Sequence, residues 1–116
     1  MVQCLPTSLD ASFAALSDPI RRGILDQLRR ADASITKLAG AFDMTLTGMK
    51  KHVEVLERAG LVATEKVGRV RTCRLGARGL KEEAAWIEQY RQVWDARFNA
   101  LDDVVEELMM REKIDE

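Results

Sequence analysis

Two cysteines, one histidine and two prolines in 116 residues narrow the chemistry before any pattern is sought. Cys4 and Cys73 stand far apart, with no CxxC or Cys/His spacing, so neither a disulfide framework nor a zinc module is indicated. His52, the single imidazole, leaves most metal and triad chemistry without partners. There is no Gly-rich phosphate loop and no nucleophile–base pair, which argues against an enzyme. No apolar run approaches the ~18 residues of a bilayer span, and residues 1–10 lack the basic and apolar regions of a signal peptide. The expectation is a soluble, cytoplasmic protein without metal or other cofactor. A chain that is 47% hydrophobic and 32% charged suits one globular domain over 1–116, and no linker, low-complexity tract or repeat divides it.

The formal net charge of -1 conceals a partition. Residues 20–78 carry thirteen Lys/Arg against six Asp/Glu, whereas 79–116 carry five against eleven. A basic middle joined to an acidic tail points to one segment that meets a polyanion and another with a different task.

Leu9, Phe13 and Leu16 recur at helical spacing and predict a short helix over about 8–17. Asp18 followed by Pro19 is an N-cap with proline in the first turn, after which Ile20, Ile24, Leu25 and Leu28 form an apolar stripe to about Arg30. Ser34 and Ile35 fit a brief extended piece. Thr36 can cap a helix with Leu38, Ala39 and Phe42 inward, and Thr45 or Thr47 can cap another with Met49, Val53 and Leu56 on one face, closed by Gly60. Two short helices and a tight turn over about 36–59 make a helix-turn-helix. From Leu61 the period changes to two, so that Val62 to Leu75 reads as a β-hairpin around Val67-Gly68-Arg69. Leu80, Ile87, Trp94, Leu101 and Leu108 then recur seven apart within a helix over about 79–111, too long for a core of this size to cover. The fold class is α+β, mostly helical.

The polar face of the fourth helix carries Thr45, Thr47, Lys50, Lys51 and Glu54. Hydroxyls and amines near a helix N-terminus can reach base edges or phosphates, and the helix dipole favours the anionic backbone. Gly48 is costly inside a helix but permits close approach to a sugar-phosphate. In the hairpin and just after it, Lys66, Arg69, Arg71, Arg74 and Arg78 stand against Glu65 alone. A basic wing beside a basic helix would form one footprint for duplex DNA.

The segments FAALSDPIRRGILDQL (13–28), HVEVLERAGLV (52–62) and GRVRTCRL (68–75) together resemble the ArsR/SmtB family of winged helix-turn-helix repressors over about 9–110. The resemblance implies a homodimer that binds a palindromic operator and usually represses its own transcription unit. It places Leu46, Thr47, Lys50 and Lys51 where the family reads the major groove, Arg69 and Arg71 in the wing, and His52 at a recognition-helix position suited to backbone or interhelix contact. Lys50 stands where a small hydroxyl is common in the family. The segment TKLAGAF (36–42) lacks the cysteine pair of the family's arsenic and cadmium sensors, and the last helix has Asp102, Asp103, Glu106 and Glu107 but no histidine for a zinc or nickel site. Trp86, Tyr90-Arg91, Trp94 and Phe98 resemble the pattern of a metal-independent subgroup, in which a START-like hydrophobic-ligand protein is often co-regulated.

On this reading the first and last helices dimerise the protein through Leu9, Phe13, Ile87, Trp94, Phe98, Leu101, Val105 and Leu108. A small apolar ligand beneath Trp86, Tyr90 and Trp94 is an alternative use of the seam. Cys73 is either a core side chain or a redox-active thiol whose pKa the neighbouring guanidinium groups lower. The inducer, small-molecule or redox, stays open. The rival to a DNA-binding regulator is a winged-helix adaptor that binds protein alone.

Overall fold

A computed structural model describes residues 8–115, with helices α1 (Ser8–Leu16), α2 (Pro19–Arg30), α3 (Ile35–Ala41), α4 (Leu46–Arg58) and α5 (Lys81–Asp115), and strands β1 (Ala33–Ser34), β2 (Val62–Val67) and β3 (Val70–Leu75). Cys4 lies outside the described residues. The strands form an antiparallel sheet in the order β1-β3-β2. This is the winged helix-turn-helix arrangement, followed by a long C-terminal helix. Contacts divide the chain into two compact units, 1–83 and 84–116.

Each boundary in the first unit has a chemical cause. The Asp18 carboxylate accepts from the Arg21 amide at 3.0 Å with Pro19 in the first turn, as the Asp-Pro signal predicts. Arg21 and Arg22 turn back to donate to the Ala14, Ala15 and Leu16 carbonyls, so the paired arginines close the C-terminus of α1. Ser34 caps α3 by accepting from the Lys37 amide, two residues earlier than the expected Thr36, because the chain enters the helix directly from β1. Thr45 caps α4 through the Gly48 amide. At its other end Gly60, at φ +77, takes the left-handed position; Leu61 N–H donates to the Leu56 carbonyl and Gly60 N–H to the Glu57 carbonyl. That pair is a Schellman closure. The turn between α3 and α4 places Asp43 at φ 52, a conformation that Asp tolerates better than most residues.

Ile24, Leu28, Leu38, Met49, Val53, Leu56 and Cys73 fill the core, together with Ala33, Ile35, Leu61 and Val62. The expected faces of α2 and α4 therefore point inward. In α1 the outcome differs: Ser12 and Ala15 are buried, while Leu9, Phe13 and Leu16 are only half-buried. The cause is a polar node. Arg78 donates to both Glu83 oxygens at 3.1 and 3.0 Å, twice to the Ala59 carbonyl, and to the Ser12 hydroxyl. Hydrogen bonds from Arg78 and then Ser12 outweigh the burial of the Glu83 carboxyl and hold it down to about 2. This node ties α1, the end of α4 and the start of α5 together. Gly76 completes the corner, since a Cβ there would lie 2.2 Å from the Gly60 carbonyl oxygen.

The second unit is the remainder of α5. At 1.5 Å per residue the 35-residue helix is about 50 Å long. Ion pairs Arg91–Glu88, Arg91–Asp95 and Arg111–Glu107 run along it.

Candidate nucleic-acid interface

The sheet register decides which wing cations share a face with α4. Thr64 pairs with Cys73 and Lys66 with Arg71, so side-chain alternation puts Thr64, Lys66, Arg71 and Cys73 on one face and Glu65, Thr72 and Arg74 on the other. Arg74 pairs with Glu65 at 3.4 Å, and Arg78 is committed to the buried node. The five cations of the sequence pattern thus reduce to Lys66, Arg69 and Arg71. Gly68, at φ +62, opens the two-residue turn as a type II′ hairpin requires and carries Arg69 at the tip.

Between α4 and the hairpin lies a cleft of about 730 Å³. Lys50, Lys66, Arg69 and Arg71 line it with Leu46, and Glu54 and Glu57 supply opposite charge. Lys51 and Thr47 are exposed on α4 outside this lining. Thr45 is engaged as the N-cap, yet its hydroxyl hydrogen stays available to donate. Gly48 has a local reason to be glycine: a Cβ there would sit 3.2 Å from both the Met44 methyl and the Thr45 hydroxyl oxygen, against the capping turn.

His52 is largely buried on α4, where its Nδ1 lies 3.3 Å from an Arg21 guanidinium nitrogen and 3.9 Å from the Asp18 carboxylate. A guanidinium can only donate, so in the neutral ring Nδ1 accepts and the hydrogen sits on Nε2. The histidine therefore joins α4 to the α1–α2 corner. The Arg21 amide above all keeps the Asp18 carboxyl below its ordinary value.

Cys73 takes the core position and not the reactive one. It is fully buried, and burial first, then the nearby Glu57 carboxylate, pushes its thiol up despite the opposing charge of Arg71. The expected lowering by guanidinium groups is outweighed: Arg71 opposes the shift, but burial is the larger effect, and Arg74, adjacent in sequence, lies on the opposite face.

In the second unit the seam residues Ile87, Trp94, Phe98, Leu101, Val105 and Leu108 are exposed, as are Trp86, Tyr90, Val93, Val104, Met109 and Met110. Trp86 and Tyr90 approach with ring centroids 4.5 Å apart, and Trp94 and Phe98 at 6.1 Å. A shallow apolar hollow of about 330 Å³ is lined by Tyr90, Val93, Trp94, Arg97, Phe98 and Leu101. Leu9 and Phe13 are half-buried in the first unit. Glu57, which lines the cleft, and Thr64, whose hydroxyl donates to it at 2.7 Å, were not singled out by sequence reasoning; the register that sets Thr64 beside α4 brings them together. Among the described residues no helix is long and apolar enough to cross a membrane.

Residues 16–65 match a family model described as a helix-turn-helix domain. The chain is 37% identical over 87 residues to the helix-turn-helix-type transcriptional regulator YuzN of Bacillus subtilis, covering 68% of this chain and 95% of that one. It is 28% identical over 75 residues to the transcriptional repressor SdpR of Bacillus subtilis, covering 65% and 83%. The crystal structure of an ArsR family transcriptional regulator superposes with a TM-score of 0.72 at 39% identity, covering 82% of this chain and 97% of that one.

Proposed function

This chain belongs to the ArsR family of helix-turn-helix transcriptional regulators, and on that premise we propose that it is a cytoplasmic, homodimeric repressor that occupies a palindromic operator without a metal. The observation that carries this is the cleft in which Lys50 of α4 meets Lys66, Arg69 and Arg71 of the wing. A helix N-terminus beside a cationic hairpin suits a major groove and its flanking phosphates or minor groove. Thr45, Leu46, Thr47, Gly48, Lys50 and Lys51 form the groove-facing turn, His52 fixes the helix from behind, and Lys66, Arg69 and Arg71 serve the backbone. SdpR, which the chain resembles at 28% identity, is named a transcriptional repressor, which favours repression over activation. The absence of cysteine from α3 and of histidine from α5 removes the thiol and imidazole donors that a soft metal prefers.

The exposed apolar seam of α5 supports self-association, because an apolar stripe of this length is costly to leave in water. In the first unit the half-buried Leu9 and Phe13 of α1 are proposed, separately, as dimer contacts. Trp94→Ala is expected to raise the dimer dissociation constant by at least about tenfold, read by sedimentation across a dilution series. An unchanged profile would remove the seam from the interface.

The function is tested by sequencing the fragments of source-genome DNA that the purified protein retains. Enrichment of a palindrome near its own promoter is expected. Retention of no fragment would instead favour a protein-binding adaptor.

A further inference from the structure

We propose that Glu57 and Thr64 form a positioning relay that holds Arg71 in the cleft beside α4, so that wing and helix engage DNA as one unit; this rests on the DNA-binding reading above. Glu57 needs an explanation. It lies on α4 in a cleft that otherwise gathers Lys50, Lys66, Arg69 and Arg71, and a carboxylate there opposes the approach of a polyanion. Its contact supplies the reason. The Thr64 hydroxyl donates to a Glu57 carboxylate oxygen at 2.7 Å and accepts from an Arg71 guanidinium nitrogen at 2.8 Å. An arginine can only donate and a carboxylate can only accept, so the chain runs one way, from Arg71 through Thr64 to Glu57. Glu57 directs the single hydroxyl hydrogen of Thr64 towards itself and leaves the oxygen lone pairs for Arg71.

The sheet register makes this possible. Thr64 is paired with the fully buried Cys73, which anchors the inner end of the hairpin, and Arg71 stands two residues outward on the same face. One guanidinium hydrogen of Arg71 meets Thr64, and the others remain for phosphate or a groove edge. Prior orientation reduces the side-chain freedom lost on binding. Arg69, at the turn, has no such tether among the described residues.

The test is fluorescence anisotropy of the full chain, over a range of salt, on a duplex that the wild-type protein selects from a random library. A merely electrostatic Glu57 and a relay differ in sign. If Glu57 contributes only its charge, Glu57→Ala and Glu57→Gln both tighten binding. The relay requires that Glu57→Ala and Thr64→Val each weaken it, by about three- to tenfold, and lower the salt slope by about one per protomer, as Arg71→Ala does. Neither should add to Arg71→Ala in a double-mutant cycle. Glu57→Gln, which keeps an acceptor oxygen, and Thr64→Ser, which keeps the hydroxyl, should recover the loss, and thermal melts establish that each variant is folded. Tighter binding by Glu57→Ala, or additive cycles with a wild-type protein that binds well, overturns the relay alone. A wild-type protein that selects no duplex overturns the DNA-binding reading and the relay with it.

Discussion

Arg78→Ala is expected to destabilise the first unit by about 3–5 kcal/mol, because it strands a buried carboxylate rather than merely deleting a contact. Glu83 is only 2% exposed, and Arg78 provides both of its guanidinium contacts while also satisfying the Ala59 carbonyl at the end of α4. For a domain of this size the loss corresponds to a fall in melting temperature of more than about 10 °C. Replacing both partners, Arg78→Leu with Glu83→Leu, should be milder than Arg78→Ala alone, since an apolar pair leaves no unpaired charge. The pH dependence follows from the carboxyl held at about 2 in the folded chain. A lowered folded value stabilises above the unfolded value of about 4.3 and is lost as pH falls through that window towards 2. The gap between wild type and Glu83→Gln, measured by melts from neutral pH down to pH ~2, should therefore be constant at neutral pH and close in acid.

The second large effect concerns α4. Lys50→Ala with Lys51→Ala is expected to weaken DNA binding by a factor on the order of 100 and to reduce the salt slope by about two per protomer. The two lysines stand on different sides of the helix surface, Lys50 in the cleft and Lys51 outside it. Both are exposed, so their loss leaves the Met49, Val53 and Leu56 face intact. Measured singly, Lys51→Ala should weaken all duplexes alike, whereas Lys50→Ala should also relax discrimination between operator and mutated operator if its amine reaches base edges. Undiminished affinity in the double variant would remove α4 from the interface.

Local chemistry made much of this architecture readable. Asp18-Pro19 and Gly60 act within one turn of their own positions, and the inward face of Met49, Val53 and Leu56 follows from helical periodicity. The hairpin followed from alternation and Gly68. What escaped was set by partners distant in sequence. Nothing near Arg78 announces that it will leave the wing to bind Ser12, 66 residues away, and nothing near Ser12 announces burial. The brief extended piece expected at Ser34 and Ile35 is present one residue earlier, at Ala33–Ser34, with Ile35 already in α3; its pairing with Cys73 and Thr72 is what two residues cannot signal by periodicity. The candidate site was legible in residue types but not in orientation: counting cations grouped Arg74 with Arg71, whereas the register separates them.

The central claim is that two copies of this chain place paired α4 helices on one face of duplex DNA. Hydroxyl-radical footprinting of this chain on its selected duplex tests it most directly. The account predicts two protected tracts related by symmetry and centred about one helical turn, ~34 Å, apart, both lost in the Lys50/Lys51 double variant. A single unpaired tract, or the same two tracts persisting in that variant, would contradict it.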